Sequence, residues 1–283
     1  MSAINSELSR SGTGVGNLVP SDAEFAQFQR LIHKIAGISM SDTKKVLLSG
    51  RLTKRVRHHG LSSFSEYFRL ISGPNAGDEL QTMVDLLTTN ETYFFREGKH
   101  FDFLRGLLRQ ERGGKRQFDV WSAACSSGEE VYTLAMVLAD EMGVDGPWSI
   151  MGSDISTQVL SQAASGHYPM ERTRGMPMEY LKKYCLKGVR ENEGTFLIDQ
   201  RLREHTRFQQ VNLNEPLPNV GSFDVIFLRN VMIYFDQDTK RKVVAQLAQR
   251  LKPGGHFIVG HSESLNGING PLRQIQPTIY RLP

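Results

Sequence analysis

Apolar residues recur at helical spacing through the first third of the chain and then give way to short apolar runs separated by helical stretches. Ser21-Asp22-Ala23-Glu24 has the form of a capping box, and Phe25, Phe28, Leu31, Ile32 and Ile35 follow on one helical face. A second helix is predicted from Ser41 or Asp42 to His59, with Val46, Leu47, Leu52 and Val56 pointing inward. A third begins near Ser62 and carries Phe64, Tyr67, Phe68 and Ile71; a fourth covers roughly 77–87. Short turns between them predict a small helical domain over 21–87. Residues 1–20 are rich in Ser and Gly without apolar periodicity, the pattern of a disordered tail.

Beyond residue 99 the pattern alternates. Phe118 to Ala124 reads as a buried strand, and a helix opens at Glu129-Glu130. Trp148 to Met151 is a second strand, followed by a helix over Ser156–Ala164 and another over Met178–Leu186. Residues 188–205, centred on Thr195-Phe196-Leu197-Ile198, read as an inserted β-hairpin. The sheet resumes at Arg207–Val211, and the fully apolar Phe223–Leu228 predicts a central strand. A helix over Asp236–Leu251, a stop and turn at Lys252-Pro253-Gly254-Gly255, a strand at Phe257–Gly260 and a final edge strand at Thr278–Tyr280 complete the order. Strands alternating with helices predict an α/β fold.

The chemistry concentrates at the first strand-to-helix junction. Ser126-Ser127-Gly128 keeps one glycine of the G-x-G-x-x-G pattern that lets backbone amides approach a pyrophosphate. A crowded turn beside Glu129 and Glu130 suits a cofactor without phosphate that carries positive charge, such as S-adenosylmethionine. Asp154, at the end of the second strand, sits where a ribose hydroxyl pair is normally gripped; capping of the next helix is its other open role. The polar, aromatic stretch 88–98, TTNETYFFREG, serves either as a packed linker or as part of an active site.

Composition narrows the class. The 283 residues suffice for one large domain or two modest ones, and no apolar run approaches a membrane span. Cys125 and Cys185 alone make neither a disulfide framework nor a zinc site, which fits a reducing cytoplasm. A catalytic thiol at Cys125 lacks a paired His. His58, His59 and His256 read as surface or turn residues, so no metal is expected. Net charge is only +4, yet Lys44, Lys45, Arg51, Lys54, Arg55 and Arg57 lie on the second helix with no acid among them. That face is either merely solvated or built for an acidic partner.

Read together, TTNETYFFRE (88–97), VWSAACSSGEEVYTLA (120–135), GSDIS (152–156), VNL (211–213), FLRNVMIYFD (227–236), LKPGG (251–255) and GHSE (260–263) resemble the CheR-type chemotaxis receptor methyltransferases. The likeness runs from Ser21 almost to the C-terminus. It implies a Rossmann-like class I S-adenosylmethionine-dependent methyltransferase domain over 99–283, with a small antiparallel β-subdomain inserted at about 188–205. An all-α N-terminal domain would precede it, and 88–98 would be a linker contributing to the active site. The implied reaction gives glutamyl methyl esters on receptors, with S-adenosylhomocysteine as product, for sensory adaptation. By resemblance Asn90, Thr92, Arg96, Glu130, Asp154, Asn212, Leu213, Arg229 and Asn230 surround the cofactor. Arg96 would pair with the methionine carboxylate or with the substrate's, and Arg96 and Tyr234 are the groups expected to orient the substrate carboxylate. Tyr234 could instead be a packed aromatic beside the helix starting at Asp236. The implied partner is the cytoplasmic coiled coil of methyl-accepting receptors, docked by the basic second helix; a receptor tail peptide on the β-subdomain is a further option. The expected protein is a cytoplasmic monomer that meets the membrane only through receptor arrays and binds no nucleic acid.

Three other readings compete. The Gly260–Ser264 stretch approximates a nucleophile elbow but lacks the final Gly, and neither Asp nor His follows it. A nucleic-acid methyltransferase would show an Asn/Asp-Pro-Pro-aromatic turn where this chain has Arg229-Asn230-Val231-Met232. A binding-only adaptor would not need Arg96, Glu130, Asp154 and Tyr234 together.

Overall fold

The computed structural model describes residues 18–74, 76–110 and 116–283, so most of the tail expected over 1–20 lies outside the described residues. The helical domain comprises α1 (Asp22–Ala36), α2 (Lys45–His58), α3 (Phe64–Ser72) and α4 (Glu79–Leu87). Capping boxes start two of them: Ser21 with Glu24, and Ser63 with Glu66. Phe28, Ile32, Leu48, Leu52, Tyr67 and Met83 are fully buried in their shared core. Val46 corrects the predicted stripe, for it is 80% exposed and Leu48 takes the inward place. Leu48, Leu52 and Val56 recur every fourth residue, and Val46 stands about 200° around the helix from Leu48.

After the connecting stretch 88–98 come α5 (Lys99–Gln110), which the apolar pattern did not announce, then β1 (Phe118–Ala123), α6 (Glu129–Met142), β2 (Trp148–Asp154) and α7 (Thr157–Ser165). An insert follows with β3 (His167–Pro169), α8 (Met178–Tyr184), β4 (Cys185–Lys187), β5 (Thr195–Ile198) and α9 (Gln200–Arg203). The chain returns through β6 (Thr206–Gln210), β7 (Phe223–Leu228), α10 (Gln237–Ala248), β8 (Leu251–Val259), β9 (Arg273–Gln276) and β10 (Ile279–Arg281). The main sheet has the order β6-β2-β1-β7-β8-β10-β9, parallel up to β8, with β10 antiparallel to both neighbours. Both faces are covered, which explains the unbroken apolar run of β7: Val225 and Phe227 enter the core beneath α5 and α6, Ile226 and Leu228 the core beneath α10. Strand order reverses between β1 and β7, and ligands bind outside the carboxyl ends of strands at such a point.

Four further expectations change. The small sheet has the order β3-β5-β4, so the insert starts at His167 rather than 188, and 200–203 is a helical turn rather than hairpin. Its first two strands are three residues each, too short to show alternation. The final strand β10 is internal; the edge is β9, a polar stretch whose four residues are all exposed. Residues 252–255 lie within β8 as an irregularity of its register with β7, where a Cβ on Gly255 would meet the Lys252 carbonyl oxygen at 2.8 Å. His256 is buried in β8 with its ring against Phe103, not at the surface.

Candidate active site

The carboxyl ends of β1, β2 and β7 open into a cavity of about 1040 Å³, open mouth included. Stretch 87–96 forms one wall, Ala36 and Ile38 of the helical domain a second, and residues following β1, β2, β6 and β7 the floor. All the residues assigned to the cofactor by resemblance line it: Asn90, Thr92, Arg96, Glu130, Asp154, Asn212, Leu213, Arg229 and Asn230. Tyr234 lines it as well.

The backbone around the cavity is unusual. Among the described residues seven non-glycines have positive φ, and five of them lie here: Phe95, Glu97, Ala124, Ser126 and Asn230. Such conformations cost energy and persist where the surroundings hold them. The turn after β1 is held by the Ser126 hydroxyl on the Asn90 carbonyl (2.8 Å), the Tyr168 hydroxyl on the Ser127 carbonyl (2.7 Å) and the Ser126 N–H on Asp154 Oδ2 (2.9 Å). Gly128 is required there: φ is +93°, and a Cβ would meet Ala163 at 2.8 Å and the Tyr168 hydroxyl at 3.0 Å.

Asp154 projects from the end of β2, and its other oxygen accepts from the Ser156 N–H (3.0 Å). The cap of α7 is Ser156 itself, so capping does not explain Asp154. Burial lifts its carboxyl above the usual range despite these backbone donors.

Arg229 is the charged centre of the floor, its side chain only 2% exposed. It donates to Glu130 (2.7 Å), to Glu97 (3.0 Å) and to the Arg96 carbonyl, with Phe101 beneath its guanidinium. Glu130 also accepts from the Ser122 hydroxyl at 2.7 Å. Glu97 accepts further from the Asn230 side chain (3.1 Å) and the His261 N–H (3.0 Å). Burial pushes the Glu97 carboxyl up, but Arg229 and these donors outweigh it and leave it below its ordinary value. Beside it, burial and the Arg229 charge hold the His100 imidazole down at about 4, so it is neutral at physiological pH. Glu97, His100 and His261 bring three possible metal donors within 4.8 Å, yet both Glu97 oxygens are already engaged by the contacts above.

Arg96 donates to the Glu91 carbonyl at 2.9 Å and lies over the Tyr93 ring. Tyr234 follows a short turn after β7, and its carbonyl accepts from the Ser39 N–H at 2.8 Å, joining it to the helical domain. Asn212 also ties the domains together: its amide donates to the Ile35 carbonyl (2.7 Å) and its oxygen accepts from Asn214 N–H (3.0 Å). Cys125 is buried and burial raises its thiol, which keeps it protonated.

The six cations of α2 and its lead-in turn have different environments. Arg51 donates to the Leu87 and Thr88 carbonyls at 3.0 and 2.9 Å, holding the start of the cavity wall. Arg55 pairs with buried Glu79, which also accepts from Tyr67 (2.7 Å). Lys45 pairs with Asp22. Lys44, Lys54 and Arg57 are exposed.

Sequence reasoning missed Glu97, Phe101, Glu263 and the lining from Ala36 and Ile38. Glu97 and Glu263 stood inside the stretches TTNETYFFRE and GHSE, and an acid in such a stretch was the available signal. Nothing in the pattern of α1 announced that its end would face a cavity.

The comparisons agree in coverage. The CheR methyltransferase all-alpha domain matches residues 23–88, and the CheR methyltransferase SAM binding domain matches residues 90–281. The chemotaxis protein methyltransferase of Escherichia coli K12 is 39% identical over 94% of this chain and 92% of its own. Chemotaxis protein methyltransferase 2 of Pseudomonas aeruginosa is 39% identical over 91% of this chain and 92% of its own. Among solved structures, the glycopeptide N-methyltransferase MtfA complexed with S-adenosyl-L-methionine is 16% identical with a TM-score of 0.33, over 62% of this chain and 57% of that one.

Proposed function

The chain belongs to the CheR family and is an S-adenosylmethionine-dependent chemotaxis methyltransferase, and from that premise we propose that it esterifies glutamate side chains of chemotaxis receptors. The observation that carries the proposal is one cavity lined at once by Asp154 and Glu130 and by Arg96 and Tyr234. Acids without a glycine-rich phosphate cradle suit a cationic, phosphate-free cofactor. Asp154 would take the ribose hydroxyls, Leu213 and the Asn212 backbone the adenine, and Glu130 the positive methionyl end.

Bound there, the cofactor supplies a methyl group on a positively charged sulfur. A glutamate with a reference pKa of about 4.3 is already ionised at neutral pH, so no general base is required. The protein's work is then positioning and exclusion of water. Arg96, on the exposed side of the cavity, is the charged donor for the incoming carboxylate, and Tyr234 its hydroxyl donor.

Of the basic docking set, Lys44, Lys54 and Arg57 are the cations left for acidic receptor helices, because Arg51, Arg55 and Lys45 hold partners within the chain. On the β-subdomain, strand β4 pairs, among the described residues, with β5 alone, and Leu186 within it and the nearby Val189 are exposed. That edge suits addition of a receptor tail strand. Titration with tail peptides tests it, and absence of binding removes the tether.

The decisive experiment incubates the protein with methyl-labelled S-adenosylmethionine and a receptor cytoplasmic fragment, then adds base. Label released as methanol is the expected result, with about 100-fold lower kcat for Arg96→Ala and about 10-fold for Tyr234→Phe. Base-stable label would point to an amine or nucleic-acid acceptor, and cofactor binding without transfer to an adaptor.

A further inference from the structure

We infer that Glu263, which does not line the cavity, is the positioning residue that fixes the loop 229–234 and through it the reacting geometry. The inference deepens the reading of the site given above and rests on it for its kinetic arm.

Glu263 is buried, follows β8, and carries no ion pair among the described residues. Its two oxygens accept three backbone N–H groups at 2.8 Å each: Asn230 and Gly260 on Oε2, Met232 on Oε1. Two of these donors belong to the loop leaving β7, and the third to the loop leaving the neighbouring β8. One carboxylate thus joins the carboxyl ends of two adjacent parallel strands at the edge of the cavity. The loop needs such a clamp. Asn230 sits at φ 58°, in the left-handed region that few non-glycines other than Asn and Asp adopt, and in that conformation its side chain reaches Glu97. Met232 opens the turn that delivers Tyr234.

The chemistry calls for a carboxylate specifically. All three partners are donors, so every occupied site on the side chain must accept. Glutamine keeps the shape but turns one oxygen into an NH₂ facing an N–H, which must move away. The fit is close: a Cβ on Gly260 would meet the Asn230 Nδ2 at 2.7 Å and the Glu263 Oε2 at 2.8 Å. A side chain added at Gly260 would press on Asn230 and Glu263 together.

The test compares Glu263→Gln with the wild type for S-adenosylhomocysteine affinity and for transfer to a receptor fragment. Expected are an affinity about 10-fold weaker and a kcat about 10-fold lower at saturating cofactor, with KM for the receptor fragment unchanged. In a Tyr234→Phe background the kcat cost of Glu263→Gln should shrink below about threefold, because residues acting as one unit are not additive. Should Glu263→Gln fail to fold, Gly260→Ala wedges the same contact and must give the same pair of losses. Wild-type affinity and kcat in a folded variant overturn the inference, as do losses that are fully additive with Tyr234→Phe. If the wild type itself transfers no methyl group to the fragment, the receptor reading fails, and the S-adenosylhomocysteine titration still decides the role of Glu263.

Discussion

At the scale of single residues the site is a balance of buried charge. Arg229 stands between Glu97 and Glu130, and removing one partner of such a set leaves the others uncompensated. Arg229→Ala is therefore expected to cost about 3–5 kcal/mol of stability, read by denaturant titration. Asp154→Asn loses the charge and sets an NH₂ against the N–H of Ser126 or Ser156, and should weaken S-adenosylhomocysteine about 10-fold by calorimetric titration. His100 gives a pH signature. Its folded pKa is about 4 against an ordinary 6.5, so below 6.5 the unfolded chain binds a proton that the folded chain refuses. Stability thus falls as pH drops from 6.5 towards 4, by roughly 3 kcal/mol at full extent. Glu79, held down at about 2 by Arg55, Tyr67 and His59 against its burial, adds a loss from 4.5 towards 2. His100→Gln should flatten the first limb and leave the second, as followed by thermal melts across that range.

At the scale of elements, α2 divides its labour by direction. Lys54→Glu with Arg57→Glu should raise KM for the receptor fragment about 10-fold, weaken its salt dependence and leave cofactor affinity unchanged. Arg51→Ala should instead lower kcat, because its guanidinium holds the Leu87 and Thr88 carbonyls where the cavity wall begins. Cofactor titration and steady-state kinetics on both variants separate the two roles. The sequence treated these cations as one face because the acid that claims Arg55 lies on α4, distant in the chain. The same blindness runs through the fold. Elements with their own strong periodicity, such as α1, α3 and β7, were legible in place. Those whose identity depends on neighbours were not: β9 is polar and exists by pairing with β10, and the three-residue strands of the insert exist by pairing with β5. In the site, the residues at strand ends were legible from the resemblance, whereas Glu263 acts through backbone groups that no side-chain pattern records.

At the scale of the whole molecule, the cavity is a property of two domains. The helical domain supplies Ala36 and Ile38 to its wall and the Ser39 N–H to the Tyr234 carbonyl. Replacing Asn212 and Asn214 by Ala removes their bonds to the Ile35 and Lys34 carbonyls. A loss of about 2 kcal/mol in stability is expected from those bonds, together with weaker S-adenosylhomocysteine binding, and melts with and without that ligand measure both. These contacts have one trait in common. At the end of α1 the helical side offers mostly main chain: the carbonyls of Lys34 and Ile35, the amide of Ser39 and the bridge of Ile38 to Phe235. Side chains enter at His33, which pairs with Asp236, and on α4, where Asp85 accepts from Thr157 and Gln81 bonds the Ile155 carbonyl and Gln210. The part of the seat that holds Tyr234 reads backbone and is indifferent to most side chains, so the outward surface of α2 can be redrawn while Tyr234 keeps its place.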